Sequence, residues 1–187
     1  MPASHSSSLA LVWLVAQFEA RHLKASALTP THLLLGLCKI VDLDLPELVS
    51  KNASDRDAVL EESLREVRKL RTLFRTAGVD AKKLRRGLRQ LAPECRSELD
   101  GSTRLRRNPA AKRIFAGAEH MALISGGVVY PVHLLYATLL TEDEHRDTTL
   151  ARLGIDKKRL LTVAKQQVLL PALEPFSGSK KARSRWN

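Results

Sequence analysis

Apolar residues recur along the chain at three- and four-residue steps, the period that places side chains on one face of an α-helix. Leu9, Val12, Trp13, Ala16, Ala20 and Leu23 form one such series. Leu11, Leu14, Val15 and Phe18 fill the intervening faces, so the pattern predicts a first helix apolar nearly all round, and therefore central and buried. Thr29 followed by Pro30 marks a second start, because the hydroxyl can cap free amides and the fixed φ of proline suits the first helical position. Thr31, His32, Leu33 and Leu34 carry that helix forward.

After Pro46 the chain turns polar, and Leu60, Leu64, Val67, Leu70 and Phe74 then supply the apolar stripe of a long third helix. Gly78, a residue type that tolerates the left-handed conformation, ends it. Asp80 caps a fourth helix carrying Leu84, Leu88 and Leu91, which stops before Pro93. From Asn108 the pattern begins again. Ile114, Phe115, Ala118 and Ala122 repeat the first helix, and Pro131, His133, Leu134 and Leu135 repeat Pro30, His32, Leu33 and Leu34. Gly154-Ile155-Asp156 likewise repeats Gly78-Val79-Asp80.

Two motifs recurring in the same order predict an all-α protein of two pseudo-symmetric four-helix repeats. Pro30 and Gly78 are 48 positions apart and Pro131 and Gly154 are 23 apart, which gives the first copy 25 extra residues, assigned to the long charged helix. The expected organisation is a disordered N-terminus over residues 1–8, a first repeat over 9–92 and a polar linker over 93–108. A second repeat over 109–170 and a basic, disordered tail over 171–187 complete it.

Composition adds limits. A chain of 187 residues, 44% hydrophobic, is long enough to bury a core. The run Leu9 to Ala16 has no Lys or Arg ahead of it and is about half the length that spans a bilayer, so a soluble chain without a membrane segment is expected. Cys38 lies in a Leu-rich run and Cys95 in a polar stretch, without the spacing of a metal or redox site, which fits a cytoplasmic setting. Charge changes the picture more. Residues 65–113 hold 16 Lys and Arg against 5 Asp and Glu, so this stretch carries the whole excess of +11. Concentrated charge of this kind suits an acidic partner, and the plainer alternative is that it solvates helix faces.

The two ordered motifs resemble the double repeat of the Clp N-terminal domain, the substrate- and adaptor-binding module of Clp-type AAA+ unfoldases. The matching residues are Pro30, His32, Leu33, Leu34, Gly78, Val79 and Asp80 in the first copy, and Pro131, His133, Leu134, Leu135, Gly154, Ile155 and Asp156 in the second. The similarity spans roughly residues 9–169. The family's usual Glu before the His is Thr31 here in one copy and Val132 in the other, and the extra 25 residues also depart from its pattern. The resemblance implies a double Clp-N fold and a protein partner, either a Clp-type unfoldase or protease component or a client.

A motor is excluded on chemistry: a P-loop needs a Lys after its last Gly to reach phosphates, and no Gly here precedes Lys. His32 and His133 have no second ligand at helical spacing, so they are assigned a structural place at helix starts, with no metal or cofactor expected. The expected function is a non-catalytic adaptor or modulator. Its candidate contacts are Arg71, Arg75, Arg85, Arg86, Arg89, Arg104, Arg106 and Arg107. The alternative is a basic helical protein that binds nucleic acid non-specifically, against which stands an aromatic content of only 4%.

Overall fold

Capping residues and prolines set where the helices begin. The structure, a computed structural model, describes residues 3–43, 56–90 and 105–169. Its helices are α1 (Ser7–His22), α2 (Pro30–Ile40), α3 (Arg56–Thr76), α4 (Ala81–Gln90), α5 (Pro109–Ile124), α6 (Pro131–Leu140), α7 (Glu144–Arg152) and α8 (Lys157–Leu169). Ser6 Oγ accepts from Leu9 N at 3.2 Å at the head of α1, and Asn108 Oδ1 accepts from Ala111 N at 2.7 Å at the head of α5. Gly78 and Gly154, at φ 74° and 69°, close α3 and α7 with the same pair of bonds. Val79 N donates to Phe74 O and Gly78 N to Arg75 O, as Ile155 N donates to Leu150 O and Gly154 N to Ala151 O.

The all-α reading holds, but the centre of the molecule is α2. Ten of its eleven residues are buried, and Leu33, Leu34, Leu35, Leu37, Cys38 and Ile40 are fully enclosed. Helix α1 lies against it along Leu9, Val12, Ala16 and Ala20, so close that a Cβ on Gly36 would stand 2.7 Å from Val12 O. Helices α4, α5, α6 and α7 also touch α2, which leaves α1 as an outer helix with one face uncovered. The expectation of a central first helix is corrected accordingly: periodicity counts apolar positions but does not tell which face meets the core.

Strands of two residues each were not expected from the sequence, and the described residues hold four: β1 (Ser4–His5), β2 (Ala27–Leu28), β3 (Arg106–Arg107) and β4 (Val128–Val129). β1 pairs in parallel with β4, and β2 with β3. The exchange is reciprocal, since the segment entering α1 pairs with the segment entering α6, and the segment entering α5 pairs with the segment entering α2. Matching bonds seal both, Ser6 N to Val129 O at 3.1 Å and Asn108 N to Leu28 O at 3.0 Å. Residues 3–8, expected to be disordered, are therefore held by a ladder and a cap. The end of the supposed linker is held too: Leu105 is buried, and Arg106 and Arg107 form β3.

α3 has 21 residues against 9 in α7 and so takes up about half of the 25 extra residues of the first copy, the rest falling in the connection from α2 to α3. Most of that connection, the expected linker as far as Arg104 and the tail from residue 170 are outside the described residues. α4 fits between α2 and α7, where a Cβ on Gly87 would come 2.9 Å from Leu153. Arg146, fully buried on α7, donates to the carbonyls of Thr138 and Thr141 at the end of α6, and Asp147 joins it to Lys157 at 2.7 Å. No helix among the described residues is long and apolar enough to cross a membrane.

Candidate functional site

The uncovered face of α1 is apolar. Leu14 is 48% exposed and Phe18 57%, one turn apart on the side opposite Val12 and Ala16. Beside them Trp13 meets Phe115 of α5 edge-on, with ring centres 5.4 Å apart. The Arg107 guanidinium lies 5.6 Å from the Trp13 ring centre and 4.9 Å from that of Phe115, and His5 sits 3.2 Å from Glu119 on the flank. The result is an aromatic seam with a cation over it, next to exposed Leu14 and Phe18. Sequence reasoning assigned these two to the core, and only their excess over what one buried face needs marked them as surplus.

The eight candidate arginines do not form one surface. Arg89 grips Glu19 with two bonds of 2.7 and 2.6 Å, and Glu19 is 3% exposed, so this pair belongs to the fold. Arg85 stands 3.7 Å from Asp42, and its Nε is buried without a partner among the described residues. Arg71 donates to Val41 O at 2.6 Å, fastening α3 to the end of α2. Arg107 is engaged with the aromatic seam. Arg75, Arg86 and Arg106 are exposed, with no side-chain partner among the described residues, and Arg104 lies outside them. Arg65, Arg68, Lys82 and Lys83, which the sequence reading did not select, are also exposed. Six exposed cations without a side-chain partner among the described residues, Arg65, Arg68, Arg75, Lys82, Lys83 and Arg86, thus lie on α3 and α4.

The motif histidines act on their own helix starts. His32 Nδ1 accepts from Thr29 N at 3.1 Å, and His133 Nδ1 accepts from Tyr130 N at 3.0 Å. A ring nitrogen that accepts an amide hydrogen carries none itself, so each neutral ring holds its proton on Nε2. Burial agrees: loss of solvent lowers both side chains to a pKa of about 4, against the attraction of Glu19 and Asp143 at His32 and with the help of Lys69 at His133. Ser125 Oγ lies 3.1 Å from His133 Nε2, yet that nitrogen is the donor, so the pair is not arranged as nucleophile and base. Asp80 Oδ1 accepts from Lys83 N, and Asp156 Oδ1 from Lys158 N and Arg159 N, as capping residues do. Among the described residues no group of three or more His, Cys, Asp or Glu is placed to hold a metal. Burial pushes the Cys38 thiol far up, which leaves it protonated and unreactive.

No protein-family model and no curated protein sequence matches the chain. Solved structures do. The N-terminal domain of the caseinolytic protease associated chaperone ClpD from Arabidopsis thaliana is similar at 18% identity and a TM-score of 0.57, over 88% of this chain and 94% of that one. A structure from an investigation of a malarial protein secretion system gives 18% identity and a TM-score of 0.60, over 89% and 95%. The Hsp104 N-terminal domain from Candida albicans gives 16% and 0.60, over 88% and 91%. These matches define the class: the chain has the fold of a Clp N-terminal domain. It is a Clp-N-like, all-α module, as the Pro-x-His-Leu-Leu and Gly-x-Asp motifs implied.

Proposed function

We propose that this chain is a non-catalytic, cytoplasmic protein-binding module that docks a protein partner on the outer face of α1. The partner is a Clp-type unfoldase or protease component, or a client of one, and the chain serves as an adaptor or modulator. The observation that carries the reading is the exposure of Leu14 and Phe18 beside the Trp13–Phe115 seam. Large apolar side chains grouped on an otherwise charged surface mark interaction sites, and aromatic and Arg anchors are enriched where binding energy concentrates. The Clp-N-like fold supports the class of partner. The exposed arginines and lysines of α3 and α4 set the rate and salt dependence of encounter more than final affinity.

Affinity capture from native lysate at low and moderate salt tests this, comparing the wild type with L14S/F18S and with R75E/R86E. Recovery of a Clp component or a discrete client that persists at moderate salt and is lost in L14S/F18S is the expected result. Both serines replace exposed side chains, so the melting temperature is expected to stay close to that of the wild type. The exposed cations favour one other reading, non-specific nucleic-acid binding. Capture of nucleic acid alone, abolished by salt and by R75E/R86E but indifferent to L14S/F18S, establishes it in place of the first.

A further inference from the structure

A cavity of about 500 Å³ opens where the turn after α1, the first turn of α2, the start of α5 and the α6–α7 connection meet. Leu23, Ala25 and Pro30 give it an apolar wall, and His32, Glu142 and Asp143 a polar one. His32 is only 6% exposed. Its Nδ1 is committed to Thr29, which fixes the proton on Nε2 and makes that atom a donor. The matching Nε2 of His133 donates to Ser125 Oγ, whereas His32 Nε2 has no partner among the described residues. The polar side-chain atoms sealed from solvent without a partner are Ser63 Oγ and Arg85 Nε among those residues, so His32 Nε2 is open, and the space beside it is the cavity. An N–H open to the cavity is left to water there, and an arriving acceptor takes the place of that water.

The opposite chemistry stands a few atoms away. Thr31, next to His32, donates to both carboxylate oxygens of Asp143 at 3.3 Å, and Asp143 Oδ1 also accepts from Arg146 N at 2.8 Å, so the carboxylate is held in place. Asp147 offsets the charge of Arg146 behind it, and exposed Glu142 adds a second carboxylate at the rim. His145, also lining the cavity, donates from Nε2 to Leu88 O at 3.3 Å. One donor, two carboxylates and an apolar wall fit a ligand with a cation, an acceptor close to it and a hydrophobic branch.

We propose that this cavity binds a primary ammonium group with a carbonyl beside it. The ammonium meets Asp143 and Glu142, the carbonyl accepts from His32 Nε2–H, and the attached side chain lies on Leu23, Ala25 and Pro30. Two sources share this chemistry, the first residue of a peptide and a free amino-acid amide. The site is separate from the outer face of α1, so it stands or falls independently of the docking reading.

The test is titration of the full chain with leucinamide, with the tripeptide Leu-Gly-Gly amide and with its N-acetylated form, following the histidine ring signals by NMR. Binding is expected to move the His32 Nε2 and Hε1 signals, to leave those of His133 in place, and to fail for the acetylated peptide. Binding by the tripeptide alone identifies a polypeptide N-terminus as the source, and equal binding by leucinamide identifies the free amine. D143N, which keeps a capping side chain on α7, and E142Q are each expected to weaken binding about tenfold, a loss of roughly 1.4 kcal/mol. E142Q changes an exposed residue and carries the test if D143N perturbs the fold. The proposal is overturned if none of the probes moves His32 at millimolar concentration, if the acetylated peptide binds as well, or if E142Q binds undiminished.

Discussion

Glu19 shows how a single residue fixes the meaning of another. Its carboxylate is inside the protein, and among the described residues the forked guanidinium of Arg89 answers it. Arg89→Ala leaves a buried charge unpaired and is expected to cost about 3–5 kcal/mol in urea unfolding, whereas the double change to Met at both positions recovers most of the loss. Met121 already occupies the place on α5 that Glu19 has on α1, counting from each N-cap. His32 and His133 give a pH dependence whose sign follows from their depressed values. Between pH 6.5 and about 4 the unfolded chain binds more protons at these sites than the folded one, so stability is full above pH 7 and falls on acidification through that window. The loss is on the order of 3 kcal/mol per histidine, complete below about pH 4, and H133Q is expected to flatten the profile measured by thermal melting. Neither Glu19 as the partner of Arg89 nor the burial of Arg146 was legible in the sequence, because a long-range pair leaves no periodic trace. The histidine at the third position of both Pro-started helices was legible because its contact is local.

At the scale of elements, the sequence reading succeeded where signals are short-range. Asn108, Pro30, Pro131, Gly78 and Gly154 mark helix ends through bonds spanning three to five residues, whereas Ser6, the cap of α1, falls in the stretch expected to be disordered. It failed on the role of α1, since Leu14 and Phe18 have the same periodic standing as Val12 and Ala16 and only the tertiary arrangement separates them. The two-residue strands escaped notice because so short a ladder has no alternation to detect. The contact between α1 and α2 is the element-level junction most sensitive to size: Gly36→Ala is expected to cost about 1–3 kcal/mol, since the added methyl meets backbone at Val12 and α2 cannot shift without disturbing its other neighbours. Calorimetry of that variant beside G117A, where the nearest atom is 3.7 Å away, separates crowding from a general glycine effect.

For the whole molecule, the repeat boundaries in the sequence are not boundaries of stability. Each copy supplies a strand to the other, α4 packs on α7, and α3 packs on α6 and α8. Fragments 1–92 and 93–187 are therefore expected to be poorly structured when expressed apart and to regain helical circular dichroism on mixing. Two independent, cooperative melts of the separate fragments would show that the exchange does not matter for folding.

The pairing of β1 with β4 also bears on how the chain is made. The bonds at Ser4 reach a residue 123 positions ahead. A nascent chain leaves the ribosome from its N-terminus, so the first helices are complete long before the strand that seals their entrance exists. During that interval Ser4 and Ser6 have no ladder to join, and the apolar side of α1 that later faces α5 has only solvent or other proteins beside it. Closure must wait until the chain has grown 123 residues past Ser4, which makes this a molecule with slow, non-local final steps and a period of dependence on whatever shields its surface meanwhile.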